Sequence, residues 1–253
     1  MPVMTAKWIK ALVPPQARPA LRRAWDRARF HGLRHECLVC ESGLRYFLPW
    51  GYPVDQNFLC PICRSKPPHR LATLYFRQNP GVFQSGGTIV HVAPEPELQK
   101  RLRRWAAARQ MEYRSGSING QGDQFLDLLH LPFADASVHL LYCCHVVNCL
   151  QEDRLAMAEV FRVLHPQGAA LLQVPAYEPG ARTIETTSRD ERLAAFQDEG
   201  IYRCYTATDY IDRLQSAGFV VDCFRSIDQP PQVIARYELK GEVLHVCTKP
   251  GKG

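Results

Sequence analysis

Apolar residues follow two alternating spacings from about residue 86 onward. Short continuous apolar runs, which predict buried β-strands, alternate with segments in which apolar positions recur every three to four residues, as in amphipathic α-helices. The predicted strands are TIVHVA (88–93), MEYRS (111–115), SVHLLYCC (137–144), AALLQVP (169–175), FVVDCFR (219–225) and EVLHVCTK (242–249). The predicted helices are PELQKRLRRWAAARQ (96–110), EDRLAMAEVFRVL (152–164) and TATDYIDRLQSA (206–217).

This alternation predicts an α/β fold. Apolar strands that are separated by amphipathic helices form a parallel sheet with helices on both faces. No helix is predicted between the last two strands, so the second of them is expected to insert antiparallel. The sequence contains no internal repeat and no low-complexity tract.

The first 36 residues have a different pattern, with apolar residues at helical spacing and an excess of arginine and lysine. Pro14 and Pro15 interrupt the pattern, which predicts one or two short amphipathic helices. We expect these helices to pack on the main domain, and the alternative is a helix lying on a membrane surface. The apolar residues concerned are Trp8, Ile9, Leu12 and Val13, then Leu21, Trp25 and Phe30.

Four of the ten cysteines form two C-x-x-C pairs, in the stretch CLVCESGLRYFLPWGYPVDQNFLCPIC (37–63). Four thiolates satisfy tetrahedral zinc, and each C-x-x-C turn lets two sulfurs converge on one ion. The spacing between the pairs lies in the range of four-cysteine zinc sites. We therefore expect a structural zinc ion bound by Cys37, Cys40, Cys60 and Cys63, the alternative being unrelated free or redox-active thiols.

Composition narrows the class of protein. The chain has 253 residues, of which 46% are hydrophobic and 22% charged, as in ordinary soluble domains. No apolar run approaches the roughly 20 residues that cross a bilayer, and the cysteine pattern fits reduced thiols, so we expect a cytoplasmic protein. The net charge of +6 allows contact with nucleic acid, acidic lipid or an anionic substrate, but we favour the simpler explanation of solvated helix faces. A second basic group lies on the helix that follows TIVHVA, at Lys100, Arg101, Arg103, Arg104 and Arg109.

The segment GGTIVHVAPEPELQKRL (86–102) predicts a strand that turns into a helix, the place where α/β enzymes often bind a nucleotide. Such turns normally contain glycines, which allow a sharp bend and a close approach to the ligand. Here the residues after the strand are Ala93-Pro94-Glu95-Pro96 instead. A ligand can still be held by the free N–H groups and the dipole of the helix N-terminus.

Several blocks in order along the chain resemble the class I S-adenosylmethionine-dependent methyltransferases of the bacterial group with an N-terminal zinc ribbon. They are CPICRSKPPHRL, VHVAPEPEL, LDLLHLPFADASVHLLYCCHVV, EVFRVLHPQGAALLQVP, RLAAF and TDYIDRLQSAGFVV. The resemblance implies a Rossmann-like methyltransferase sheet preceded by a small ribbon. It divides the chain into a basic helical segment (1–36), a zinc ribbon (37–70) and a methyltransferase-like domain (71–253). The group shares the H-x-A-P-E sequence in place of a glycine-rich loop.

The resemblance also implies a cofactor site for S-adenosylmethionine. Ala93 would allow close approach, and Glu95 would accept a hydrogen bond from the ammonium group or a ribose hydroxyl, unless it serves as a charge in the first helical turn. Asp127 would hold the adenine amine with Leu128 beside the ring, and His145 would face the methyl donor or acceptor as a base or hydrogen-bond donor. The remaining cofactor candidates are His91, which is alternatively a buried core histidine, and Ser117 and Asn148.

Some polar residues of the group are missing. The usual acid after the second strand is absent, since RSGSINGQGD offers Ser115 and Ser117 there. Asn148 stands where relatives carry an acid, and only Arg203 and Tyr205 remain of another polar stretch. The leading hypothesis is methyl transfer to a small or medium-sized acceptor, which is a sugar, a lipid-linked group or a metabolite. The alternatives are an RNA-modifying methyltransferase and an inactive methyltransferase-like scaffold.

Overall fold

The computed structural model describes residues 14, 16–51, 54–177 and 182–251. Within these ranges the helices are α1 (Arg18–Phe30), α2 (Pro67–Gln78), α3 (Pro96–Ala108), α4 (Asp153–Val163), α5 (Arg189–Phe196), α6 (Ala207–Ser216) and α7 (Pro231–Tyr237). The strands before the main sheet are β1 (His31–Cys37), β2 (Ser42–Leu44), β3 (Leu48–Trp50) and β4 (Asp55–Leu59).

The main sheet has seven strands in the described ranges. They are β5 (Thr88–Val92), β6 (Glu112–Ser117), β7 (Gln124–Phe125), β8 (Val138–Cys144), β9 (Leu164–Gln173), β13 (Val220–Arg225) and β14 (Val243–Thr248). A small separate sheet consists of β10 (Ala176–Tyr177), β11 (Ile184–Glu185) and β12 (Arg203–Thr206). All six strands and all three helices that the apolar pattern predicts are present.

The strands of the main sheet lie in the order β13-β14-β9-β8-β5-β6-β7. The five strands from β9 to β7 are parallel to one another, whereas β14 is antiparallel to both of its neighbours. This confirms the expected antiparallel insertion of the last strand, but the expectation that no helix precedes it is wrong, because α7 (Pro231–Tyr237) lies between β13 and β14. The chain leaves β5 to one side for β6 and returns to the other side for β8, so the order reverses between β5 and β8.

Successive residues of the central strands point into two separate cores. Leu140, Tyr142 and Cys144 of β8 belong to one apolar cluster, and Leu141 and Cys143 belong to the other. Helices α4 and α6 cover the second cluster, and α2 and α3 cover the first. This two-sided burial explains why the strands are continuously apolar instead of alternating.

The first core also contains apolar residues from the segment that precedes α2. We call residues 31–51 and 54–66 the cysteine ribbon; it consists of two antiparallel pairs, β1 with β2 and β3 with β4. Its side chains Leu38, Val39, Leu44 and Phe47 are at most 3% exposed and join the same cluster as α2 and α3. The cysteine ribbon therefore covers part of one face of the main domain.

Buried Arg70 of α2 connects the cysteine ribbon to the end of α7. Its guanidinium donates to the carbonyl oxygens of Phe58 and Ser65 at 3.0 and 3.1 Å, and to those of Tyr237 and Glu238 at 2.7 and 2.8 Å. Arginine provides five donors in a rigid planar group, which suits a site where several backbone carbonyls converge. Arg70 thus satisfies four acceptors where the two segments meet.

The basic group on α3 corrects one expectation. Arg101 is 9% exposed, donates to the Val39 carbonyl oxygen at 3.0 Å and pairs with Glu41 at 2.9 Å. Arg103 pairs with Asp123, and Arg109 donates to the Phe83 carbonyl. Arg101 therefore packs between α3 and the ribbon, whereas Arg103 and Arg109 remain exposed, as expected of a solvated helix face.

The packing expected of the N-terminal segment is found in its described part at Phe30, but not at Leu21 and Trp25. Helix α1 forms, but Leu21 and Trp25 are 54% and 68% exposed, and only Phe30 of the three apolar candidates is buried. Leu21 and Trp25 lie one turn apart, on the side of α1 opposite Phe30. The candidates Trp8, Ile9, Leu12 and Val13 lie outside the described residues. None of the helices within the described ranges is long and apolar enough to cross a membrane.

Candidate functional site

The carboxyl ends of β5 and β8 lie side by side where the strand order reverses, the position at which open α/β sheets bind ligands. Ala93 follows β5 with a φ of 49°, and His145 follows β8 with a φ of 56°. Residues other than glycine rarely adopt this left-handed conformation. The turn therefore has the backbone geometry that glycine usually provides, although it contains none.

Hydrogen bonds from neighbouring strands hold both left-handed residues in place. The Ala93 N–H donates to the Gly116 carbonyl oxygen at 2.8 Å, and the His145 N–H donates to the Gln173 carbonyl oxygen at 2.8 Å. Residues held in sparsely populated conformations by their surroundings cluster at functional sites. Two such residues on adjacent strands make this edge the candidate ligand site.

Glu95 lies between two histidines at the start of α3. Its Oε2 is 3.0 Å from His91 Nε2, and its Oε1 is 3.2 Å from His69 Nε2. Burial raises the pKa of this carboxyl group, but the two histidines more than offset that effect, so the pKa is lowered overall. The helix starts at Pro96, and Glu95 itself is extended. Glu95 is thus the N-cap residue of α3, and its carboxylate lies at the helix N-terminus while it contacts both histidines.

His91 is completely buried and both of its ring nitrogens have partners. Nδ1 lies 2.8 Å from the Tyr113 hydroxyl, while Nε2 faces Glu95. An ionised carboxylate only accepts hydrogen bonds, so Nε2 donates to Glu95, and Nδ1 lies at hydrogen-bonding distance from the Tyr113 hydroxyl. His91 thus orients Glu95, and any contribution to a ligand passes through that carboxylate.

The edge beyond β6 contains an acid that the sequence analysis missed. Asp123 Oδ2 accepts from the Ser115 hydroxyl at 2.7 Å, and its carboxylate pairs with Arg103 of α3. Gly120 and Gly122, both at positive φ, fold the intervening loop back toward the strand. The two glycines in SINGQGD are the feature of the sequence from which this fold of the loop could have been predicted. Ser117 lies at the end of β6, where its hydroxyl oxygen accepts from two backbone N–H groups of the same loop.

Asp127 and Leu128 follow β7 at the same edge of the sheet. Asp127 Oδ1 accepts from the Leu129 N–H at 3.0 Å, and the side chain remains 30% exposed. Leu128 is 2% exposed and belongs to the second core. The carboxylate is thus fixed at one oxygen and reachable from solvent.

His145 and Asn148 place buried polar atoms near the reversal point. Among the described residues, neither His145 Nε2 nor Asn148 Oδ1 has a hydrogen-bond partner. Such groups are uncommon, because leaving a buried polar atom unpaired costs about 1–3 kcal/mol. Burial, with smaller effects from His69 and Lys66, lowers the pKa of His145 to about 4, so the imidazole is neutral at neutral pH.

The four cysteines of the two C-x-x-C pairs converge. Their sulfur atoms all lie within 4.8 Å of one another, with Cys37 and Cys63 3.6 Å apart and Cys40 and Cys60 3.8 Å apart. Four sulfurs around tetrahedral zinc at about 2.3 Å would be separated by about 3.8 Å, so the arrangement fits that ion. Both pairs use the same turn, since Glu41 and Arg64 follow them at positive φ.

Asp153 centres a second buried network that sequence reasoning missed. Its carboxylate accepts from the Tyr205 hydroxyl at 2.8 Å and from Arg213 at 2.9 Å, and it lies 3.5 Å from Arg203. Arg203 also donates to the carbonyls of Leu150 and Gln151. Arg203 and Tyr205, which the resemblance singled out, therefore join β12 to the start of α4.

Comparison with known families identifies part of this chain. The sequence model of the family described as "Methyltransferase domain" matches residues 75–172, which run from α2 through β9 and include Ala93, Glu95, Asp127 and His145. Residues 75–172 are thus similar to a methyltransferase domain. This match agrees with the resemblance to S-adenosylmethionine-dependent methyltransferases. No curated protein sequence matches the chain.

Solved structures support the fold of this methyltransferase domain. The [4+2]-cyclase SpnF superposes with a TM-score of 0.53 at 13% identity, over 94% of each chain. Geranyl diphosphate C-methyltransferase from Streptomyces coelicolor A3(2), solved with S-adenosyl-L-homocysteine, superposes with a TM-score of 0.50 at 12% identity, over 72% of this chain and 82% of its own. These superpositions establish a Rossmann-like methyltransferase fold. Identities this low do not indicate which substrate the protein uses.

Proposed function

We propose that the protein transfers a methyl group from S-adenosylmethionine to a small or medium-sized acceptor at the carboxyl ends of β5 and β8. The observation that carries this proposal is the pair of left-handed residues, Ala93 and His145, beside the unpartnered polar atoms of His145 and Asn148. A site with buried, unsatisfied polar atoms at the reversal point is prepared for a polar ligand.

The edge residues suit different parts of the cofactor. Asp127 has an oxygen available to accept from the adenine amine, and Glu95 is ionised and suits the ammonium group of the methionine end. Ser117 and the loop that folds back to Asp123 lie between them, at the end of β6, where the ribose would sit. When bound, S-adenosylmethionine supplies an electrophilic methyl group that is transferred by in-line displacement.

His145 is assigned to positioning the acceptor. With a pKa of about 4 its ring is a weak base, so we expect it to accept a hydrogen bond from the acceptor without taking its proton completely. In-line transfer depends mainly on the alignment of donor and nucleophile. A side chain that fixes the nucleophile is therefore sufficient, and the proton can leave to water.

Calorimetric titration with S-adenosylmethionine and S-adenosylhomocysteine tests this proposal. We expect one site per chain, and Asp127→Ala should weaken binding by about 1–3 kcal/mol, the cost of an unpaired buried hydrogen-bonding group. Asp212→Ala on the exposed surface of α6 is the matched control and should bind as the wild type does. Absence of binding by the wild-type protein would favour the scaffold reading.

The exposed side of α1 favours an acceptor at an anionic membrane surface. Leu21 and Trp25 form an apolar stripe on that side, and the exposed Arg22, Arg27 and Arg29 lie on the same helix. Arginines beside an apolar stripe match acidic headgroups above an acyl layer. This supports a lipid-linked acceptor over a freely soluble one.

Sedimentation with phosphatidylglycerol vesicles tests the acceptor class. The wild-type protein should bind these vesicles, and Trp25→Ala should reduce binding, whereas Ile227→Ala, which removes an apolar side chain that is 75% exposed elsewhere, should not. Binding to RNA instead of vesicles, with steep loss on adding salt, would favour an RNA-modifying enzyme.

We further propose that Cys37, Cys40, Cys60 and Cys63 hold one structural zinc ion. The matching sulfur separations and the repeated turn support this assignment. Four thiolates leave no open position on the ion, so its contribution is to order the ribbon.

A further inference from the structure

His69 brings the cysteine ribbon into contact with the turn of the candidate cofactor site. It lies in the first turn of α2, six residues after Cys63, and its Nε2 is 3.2 Å from Glu95 Oε1. Its side chain is only 12% exposed. His69, six residues after the last of the four cysteines, therefore contacts the Glu95 carboxylate that we propose binds the cofactor.

The protonation state of His69 follows from its second ring nitrogen. The backbone N–H of Lys66 donates to His69 Nδ1 at 3.3 Å. Burial lowers the pKa of His69, so the ring is neutral and its one proton sits on Nε2. Nε2 then donates to Glu95.

This tautomer argues against a second metal site at the same place. His69, Glu95 and Cys144 bring ligand atoms within 4.8 Å of one another, which by distance alone suits an ion. A metal would need the lone pair of Nε2, which the proton occupies while Nδ1 accepts from Lys66. The geometry assigns His69 to a hydrogen bond with Glu95.

A short rigid path joins His69 to the cysteine sulfurs. The Ser65 hydroxyl lies 3.1 Å from Cys37 Sγ and 3.2 Å from Cys63 Sγ, and the Ser65 carbonyl accepts from both Cys60 N–H and Arg70. The next residue, Lys66, precedes α2 and holds His69. Displacement of the sulfurs therefore moves Ser65 and, with it, the start of α2.

We propose that His69 is a positioning residue that couples metal occupancy of the cysteine ribbon to cofactor binding at the turn of Ala93 and Glu95. This inference rests on the proposed function, including the zinc site. With the four sulfurs drawn together, His69 holds Glu95 in the orientation that receives the cofactor. Because such coupling is reciprocal, the bound cofactor should also strengthen retention of the metal, by the same factor.

Two substitutions separate this role from simple support of α2. His69→Gln keeps an N–H donor near the position of Nε2, which faces Glu95, but loses the acceptor for Lys66. His69→Asn keeps an oxygen near the position of Nδ1, which accepts from Lys66, but loses the donor to Glu95. A purely structural role would make Asn the milder change, whereas positioning of Glu95 makes Gln the milder change.

The experiment is calorimetric titration of the full-length, zinc-loaded protein with S-adenosylhomocysteine, for the wild type and both variants, with circular dichroism to verify folding. We expect His69→Asn to weaken binding about tenfold to a hundredfold, as for loss of a hydrogen bond to a charged group, and His69→Gln to remain within about threefold of wild type. Equal affinity of wild type and His69→Asn would overturn the proposal, as would a smaller loss for Asn than for Gln.

A second measurement tests the coupling itself. Zinc transfer to a chromogenic chelator should be suppressed by S-adenosylhomocysteine in the wild type and not in His69→Asn. Release that ignores S-adenosylhomocysteine in the wild type would contradict the coupling even if cofactor binding is normal. If the zinc-loaded wild type fails to bind S-adenosylhomocysteine, or purifies without zinc, the proposed function itself fails, and this inference with it.

Discussion

The cysteine ribbon and the main sheet share one apolar core, but different interactions hold them in place. The central strands β5, β8 and β9 are buried on both faces by apolar side chains. The ribbon has strands as short as three residues and contributes only one side to the first core. Its other attachments are polar, through Arg70, Arg101 and the converging cysteines. A small segment of this kind gains its order from ligands and hydrogen bonds, whereas the sheet gains it from burial.

Removal of the metal should give the largest difference between the two regions. Structural zinc supplies about 10–16 kcal/mol of binding energy in small zinc-dependent domains, so Cys60→Ser should loosen the ribbon while the main sheet stays folded. Hydrogen exchange should show lost protection in β1–β4 and retained protection in β5 and β8. Elemental analysis should give about one zinc per wild-type chain. If metal-free protein showed the same hydrogen exchange in the ribbon as zinc-loaded protein, the ribbon would not depend on the metal for its order.

A cavity in the core of the sheet should act on the whole domain instead. Leu141 of β8 is fully buried, and Leu141→Ala should lower the free energy of unfolding by about 2–5 kcal/mol. Leu33→Ala, at a ribbon position that is 87% exposed, is the control and should change it by less than about 0.5 kcal/mol. Urea unfolding measures both. If the Leu141→Ala protein were as stable as the wild type, burial of the Leu141 side chain would not contribute to the stability of the sheet.

Acid should weaken the sheet through a buried histidine. Burial lowers the pKa of His245 in β14 to about 4, against an ordinary value of 6.5. Between these values the unfolded chain binds a proton that the folded state does not, so stability is complete above pH 6.5 and falls as the pH decreases toward 4. A difference of about 2.5 in pKa corresponds to roughly 3 kcal/mol.

The matched variant for this effect is His245→Gln, which cannot titrate. Its unfolding free energy, measured by urea denaturation from pH 7 to pH 4, should fall less steeply than that of the wild type. Parallel curves for the two proteins would assign the acid sensitivity to other groups, including thiolates that release zinc on protonation.

The smallest expected effect concerns the turn at Ala93. At a φ of 49° an alanine pays about 1–2 kcal/mol relative to the right-handed region, and glycine does not. Ala93→Gly should therefore raise the free energy of unfolding by up to about 1 kcal/mol, after the entropy that glycine loses on folding. Thermal unfolding measures this change. A clear destabilisation would mean that the methyl group makes a packing contact of its own.

Most of the fold could be predicted because the apolar pattern of the sheet is local and repeated. The apolar run predicts β8 because every position from Val138 to Cys144 faces an apolar core or a neighbouring strand. The antiparallel direction of β14 was predicted correctly from a wrong premise, because helix α7 does lie between β13 and β14. The packing of α1 could not be predicted in this way. Leu21 and Trp25 have helical spacing whether their side chains face a core or solvent, and the pattern contains no information on which.

The candidate site was predictable only where a single short segment carries the chemistry. The two C-x-x-C pairs and the H-x-A-P-E turn are local, and the structure brings each set of residues together. Asp123, Asp153 and His69 were missed because their partners lie far away in sequence or depend on a loop that folds back. His69 in particular stands in a proline-rich stretch with no regular pattern, and only the three-dimensional contact with Glu95 distinguishes it from a surface histidine.

The bonds of Arg70 set an order of events during synthesis. Residues 37–63 leave the ribosome early and can gather their four sulfurs at once, yet Arg70 must wait for the carbonyls of Tyr237 and Glu238, about 170 residues later. β14 follows these residues in the sequence, and it inserts between β9 and β13. Domains fold as units during translation, and pairings between distant residues form slowly. The ribbon can therefore pack on α2 and α3 early, whereas its attachment through Arg70 is completed only after Tyr237 and Glu238 have been synthesised.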